Sequence, residues 1–146
     1  MRIETLAIHA GAEADAETGA VAVPLHLSTT FKHGPAGERV AGFEYQRESN
    51  PTQDRLEECL AALEGGERAL AYASGMAAMQ GMLECLPNGA HILIPHDCYT
   101  GLRTLCAEFL PLRGITAQAV DMGDLDAVRA ALQPDTKMIW AATPSN

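Results

Sequence analysis

The apolar positions change rhythm near residue 50. Beyond it, Leu56, Cys59, Leu60 and Leu63 recur at helical spacing, which predicts a helix opening at Pro51. Asn50 is its polar cap, Pro51 suits the first helical position, and Gly65-Gly66 closes it. The short apolar run Ala69 to Ala73 predicts a buried strand, and Met76 to Leu86 a helix ended by Pro87-Asn88-Gly89. Strands are expected at His91 to Pro95, Ile115 to Val120 and Lys137 to Ala142, with helices at Gly101 to Leu112 and Leu125 to Leu132. Such alternation predicts an α/β domain with a mostly parallel sheet. Ligands of these sheets bind beyond the carboxyl ends of the strands. Ser74-Gly75-Met76, His96-Asp97-Cys98-Tyr99 and Thr143-Pro144-Ser145-Asn146 each follow a predicted strand, so all three are expected on one rim.

Residues 1–50 lack this rhythm. Gly11, Gly19, Pro24, Gly34, Pro35, Gly37 and Gly42 interrupt them, so the segment cannot easily bury a core of its own. The apolar run Val21 to Leu27 and the aromatics Phe31, Phe43 and Tyr45 argue against a floppy leader. The expected organisation is therefore an arm, residues 1–50, lying on this subunit's body or on a neighbouring subunit, followed by the α/β domain, residues 51–146. No internal repeat or low-complexity tract interrupts either part.

Composition narrows the function without choosing it. The 146 residues suit one domain, and 47% hydrophobic with 20% charged residues is ordinary globular usage. A net charge of −9 argues against nucleic acid or an anionic membrane as a partner, yet leaves room for a local cationic pocket. Cys59, Cys85, Cys98 and Cys106 form no C-x-x-C pair and no zinc-spaced set with histidine, so reduced thiols and no metal site are expected. The N-terminal residues lack the cationic start and apolar run of a secretory signal, and no apolar stretch reaches spanning length. A cytoplasmic protein is the expectation.

Three motifs carry candidate chemistry. In Ala73-Ser74-Gly75-Met76 a strand ends, Gly75 allows a tight turn, and a helix begins. Its first amides have no internal partner and face positive dipole potential, which suits a phosphate. Read alone, a plain structural turn comes ahead of phosphate binding. No Gly-Lys-Ser/Thr follows and no G-x-G-x-x-G is present, which disfavours an unrelated nucleotide-binding domain. In Tyr45-Gln46-Arg47, alternate residues of an extended segment project the same way, placing a phenol beside a guanidinium. Asn50-Pro51 next to them is a helix cap and nothing more. Tyr99, after a strand and before a Gly-led helix, could lay its ring over a planar ligand or pack on the sheet edge. His96 and Asp97 read as turn and cap residues.

The order and spacing of these motifs resemble the Cys/Met-metabolism, or transsulfuration, family of fold-type I pyridoxal-phosphate (PLP) enzymes. The likeness begins at Glu4-Thr5-Leu6-Ala7-Ile8-His9-Ala10-Gly11 and runs through Val23-Pro24-Leu25-His26-Leu27-Ser28-Thr29-Thr30-Phe31 and Tyr45-x-Arg47-x-x-Asn50-Pro51-Thr52. It continues in Leu63-Glu64-Gly65-Gly66, Ser74-Gly75-Met76-Ala77-Ala78, Asp97-x-Tyr99 and Thr143-Pro144-Ser145-Asn146. Pro95-His96-Asp97-Cys98-Tyr99 is most similar to the cystathionine γ-synthase branch. The resemblance implies that Gly75 and Met76 give backbone amides to the PLP phosphate. Tyr45 and Arg47 would reach the phosphate bound by a partner subunit. Tyr99 would stack on the pyridine ring and assist proton transfer, making it the implied catalytic residue. Asn146 would lie near the substrate carboxylate. The implied assembly is a homo-oligomer with shared active sites, a tetramer, and the implied reaction joins an O-acylhomoserine and cysteine into cystathionine. Cystathionine γ- or β-lyase and O-acylhomoserine sulfhydrylase are the alternatives.

The sequence also departs from that family. Its members are more than twice this length, and their cofactor-holding lysine, pyridine-pairing aspartate and substrate-binding arginine lie beyond residue 146. Neither Lys32 nor Lys137 matches that lysine, so the 146 residues alone are expected to be inactive. The chain is expected to be interrupted in mid-motif and to leave a sheet edge exposed. A chain complete at Asn146, acting at most as a phosphate or PLP binder or an assembly fragment, is the reading of another class. Ala142 replaces a usual glutamate, Thr100 a usual glycine, and Arg103 stands one place early relative to the family's arginine.

Overall fold

The structure is a computed structural model that describes residues 2–145. Its contacts divide the chain into two compact units between Ala71 and Tyr72.

The first unit is organised around α2 (Pro51–Glu64). Asn50 caps it in extended conformation, its side chain accepting the Thr52 N–H at 2.9 Å, and Gly65 ends it at φ +66°. The Asn50 amide also donates to the His26 carbonyl at 3.0 Å, and the His26 N–H donates to Thr52 Oγ1 at 2.9 Å. One polar residue thus starts the helix and ties the arm to it. The glycine-rich arm carries an unexpected helix, α1 (Ile3–His9). None of its residues is buried, and it packs against α2, so tertiary contact sustains a segment too short to be stable alone. Gly11 follows at φ +68°, where a Cβ would run into the Arg55 carbonyl of α2. Further along, the arm folds back on itself. Thr30 bridges Tyr45, His33 bridges Arg39, and the Phe31 and Phe43 rings pack with centroids 5.2 Å apart.

The second unit is the α/β part. It contains α3 (Gly75–Glu84), β1 (His91–Pro95), α4 (Thr100–Thr104), β2 (Thr116–Val120), α5 (Leu125–Ala131) and β3 (Thr136–Ile139). The strands form a parallel sheet in the order β2-β1-β3. β1 is central and every residue of it is buried, as a continuous apolar run covered on both faces must be. Its side chains alternate between two cores. Ile92 and Ile94 join Leu83, Leu86, Leu102 and Ile115 on one face, while Leu93 meets Val120 and Ala131 on the other.

Two expectations fail locally. Residues 69–73 form no strand: a strand exists only with a ladder partner, and none pairs here among the described residues. The helix expected over 101–112 is regular only in α4. It widens into a π turn at Leu105–Phe109 and tightens to 3-10 at Leu110–Arg113. Pro111 has no N–H to give the ladder, and the Leu110 N–H bonds back to the Leu105 carbonyl instead.

Candidate functional site

The start of α3 leaves two amides open. Ser74 is extended at φ −158° and ψ 156°, and its hydroxyl accepts the Ala77 N–H at 3.1 Å. The Ser74 carbonyl takes the Ala78 N–H at 3.1 Å. Gly75 and Met76 are left with free N–H groups among the described residues, and no acidic side chain stands in the first turn. The backbone of Gly75 is not left-handed, so the turn itself does not demand glycine. What glycine provides is access: a Cβ there would meet nothing within 4 Å.

Tyr99 comes to the same place. It precedes α4 at φ −49° and ψ 134°, and about half of it is exposed. A Cβ on Gly101 would strike both the Tyr99 ring edge and the Met76 sulfur. The ring and the thioether therefore meet over a residue with no side chain, which brings the post-β1 loop to the mouth of α3. The Arg103 guanidinium steadies that loop, Nη2 donating to the His96 carbonyl at 2.6 Å. The segment after β3 arrives as well. The Ser145 side chain, donating to the Asp97 carboxylate, is the largest of the influences holding that group below the usual carboxylate range; the charges of His96 and Arg103 act in the same sense. Three loops expected on one rim thus converge there. Asn146 lies outside the described residues.

Tyr45 and Arg47 belong to the first unit. The Arg47 guanidinium lies over the Tyr45 ring, 4.5 Å from its centroid. They come together through a turn rather than the extended segment expected: the Glu48 and Ser49 N–H groups both fold back to the Tyr45 carbonyl. Tyr45 is half-buried and Arg47 exposed, so the guanidinium is available to an anion.

These features fit pyridoxal phosphate on two observations: an accessible amide pair for its phosphate and an exposed aromatic face for its ring. Lys32 and Lys137 are both exposed, and neither has the desolvated setting that a lysine nucleophile requires. Among the described residues, no group of three or more His, Cys, Asp or Glu could hold a metal, and no helix is long and apolar enough to cross a membrane. The seating of Tyr99 on Gly101 had no signal in periodicity. The Met76–Gly101 contact spans 25 positions.

Known proteins resemble this chain over nearly its whole length. Cystathionine γ-synthase of Mycobacterium bovis is 45% identical over 143 residues, covering 97% of this chain and 37% of that protein. Cystathionine β-lyase of Lactococcus lactis subsp. cremoris is 40% identical over 144 residues, covering 99% and 38%. The crystal structure of metB from Corynebacterium glutamicum superposes with a TM-score of 0.94 at 37% identity, covering all of this chain and 38% of that one. The chain thus spans less than half the length of these relatives, and its fold is that of the N-terminal portion of fold-type I PLP enzymes. The model of the Cys/Met metabolism PLP-dependent enzyme family matches residues 4–146, and the chain belongs to that family.

Proposed function

We propose that this chain supplies the phosphate-gripping part of the active site of a transsulfuration enzyme, a cystathionine γ-synthase that joins an O-acylhomoserine and cysteine. The observation that carries the reading is the open amide pair of Gly75 and Met76, set beside the exposed Tyr99 ring. Bound there, pyridoxal phosphate supplies an electron sink for carbanion chemistry. The residues of this chain bind and orient it. Gly75 and Met76 donate backbone N–H groups to the phosphate. Tyr99 covers the pyridine ring and its phenol handles a proton. Tyr45 and Arg47 donate to the phosphate held by a second copy, so the working unit is a homo-oligomer, a tetramer in this reading, in the cytoplasm. The resemblance assigns contact with the substrate carboxylate to Asn146. In this organisation residues 1–50 are the intersubunit arm and 51–146 open the cofactor domain.

The γ-synthase branch is favoured by the 45% identity to the Mycobacterium bovis γ-synthase. The 40% identity to a β-lyase keeps lyase chemistry as the second reading. The test is to purify the intact gene product and look for the visible absorption band of bound pyridoxal phosphate. Products from O-succinylhomoserine plus cysteine, and from cystathionine alone, then separate synthase from lyase. A protein with no such band would end the proposal.

A further inference from the structure

We propose that Arg39 keeps Arg47 available to a phosphate by engaging both carboxylates that bracket it; this rests on the reading of Tyr45 and Arg47 as phosphate donors. In Glu44-Tyr45-Gln46-Arg47-Glu48 the two donors stand between two acids. A guanidinium so placed readily forms a charge-assisted pair with one of them, and each such pair competes directly with an incoming anion. Arg47 forms none among the described residues and lies on the Tyr45 ring instead. Both acids are taken by Arg39. Its Nε donates to Glu44 at 2.9 Å, and its Nη2 donates to Glu44 at 2.5 Å and to Glu48 at 2.7 Å. The antiparallel bridge between His33 and Arg39 sets the guanidinium opposite residues 44–48.

The chain's charge makes this matter. Ten Lys and Arg face nineteen Asp and Glu, so any cation meant for a ligand is outnumbered by internal competitors. Arg39 satisfies two of them, the acids on either side of the Tyr45 and Arg47 pair. The three side chains are about half exposed, so water screens each pair and the effect on binding is severalfold rather than all-or-none.

The test is a pyridoxal 5′-phosphate titration of the intact gene product, stripped of cofactor, at low salt, with inorganic phosphate as competitor. Arg39→Gln should weaken binding about three- to fivefold. Adding Glu44→Gln and Glu48→Gln to that variant should restore the original affinity, because no carboxylate is left to capture Arg47. A clamp that only shapes the hairpin would leave the triple variant as weak as Arg39→Gln, and that result overturns the proposal. So does unchanged affinity in Arg39→Gln. Arg47→Gln probes the underlying reading separately: it should lose affinity in every background. If it binds like the parent, the phosphate donors are misassigned regardless of how Arg39 behaves.

Discussion

Replacing Gly101 with alanine separates folding from cofactor binding. The new methyl would collide with the Met76 sulfur, lie 3.1 Å from its terminal carbon, and stand 2.5 Å from the edge of the Tyr99 ring. Something has to move. Overpacking a rigid core costs about 1–3 kcal/mol. Here both neighbours are ends of movable side chains, and the ring is 48% exposed, so the low end applies. Against it, alanine in place of glycine in a helix contributes about 0.5–1 kcal/mol. The two nearly cancel, and urea unfolding should show stability changed by less than about 1 kcal/mol. The ring, however, is displaced from the mouth of α3. Aromatic stacking is worth about 0.5–1.5 kcal/mol, so pyridoxal phosphate should bind about two- to tenfold more weakly. The assay is a cofactor titration of the intact gene product beside its unfolding curve. Unchanged affinity refutes the claim that Gly101 seats the ring. A large loss of stability refutes the claim that its neighbours are free to yield.

Four further outcomes follow from the structure. Arg113 donates to the carbonyls of Leu83 and Leu86, to Asn88 and to Glu84, closing the end of α3 from outside the helix, so Arg113→Ala should lower unfolding free energy by about 2 kcal/mol in urea titration. Gly11→Ala forces a left-handed alanine against a backbone carbonyl and should destabilise by at least about 1 kcal/mol, read as faster amide exchange in α1 and α2. Asp97, depressed in the folded state, contributes stability above the ordinary carboxylate pKa that is lost as pH falls through its folded value; NMR titration should place its midpoint below 3.8, and Ser145→Ala should bring it back up. Burial pushes the Cys106 thiol up to about 11, so its contribution is intact below pH 9.0 and is lost as pH rises from there through about 11; iodoacetamide at neutral pH should label exposed Cys85 well before Cys98 or Cys106.

How much was legible depended on where the deciding atoms sit. The ends of α2 were readable because Asn50, Pro51 and Gly65 act on their own turn. β1 was readable because its continuous apolar run states its own double burial. Residues 69–73 were misread because a strand's partner is not written in its own residues. α1 was missed because it exists by leaning on α2. Tyr45 and Arg47 were brought together correctly but for the wrong reason, by a turn that the dipeptide pattern does not announce. The roles of the site residues came from the resemblance; the residues alone carried an anion-suited helix start, a phenol beside a guanidinium at Tyr45 and Arg47, and an unplaced aromatic ring at Tyr99.

The last physical question is how so acidic a chain could hold a phosphate at all. Side-chain cations in it are outnumbered nearly two to one, and among the described residues five of its eight arginines, Arg2, Arg39, Arg55, Arg113 and Arg129, pair with carboxylates. Backbone amides escape that competition when no carboxylate reaches them, and the first turn of α3 carries none. A helix terminus by itself is worth at most about 2 kcal/mol, too little for a tightly held cofactor. Within these residues, a charged donor that is not already spoken for would add to it. Arg47, stacked on an aromatic ring while its neighbours' acids are occupied elsewhere, is the donor the proposal assigns to that task. On the proposed reading, an acidic composition is compatible with phosphate binding because the α3 amides have no carboxylate in their own first turn and Arg39 engages the two acids beside Arg47.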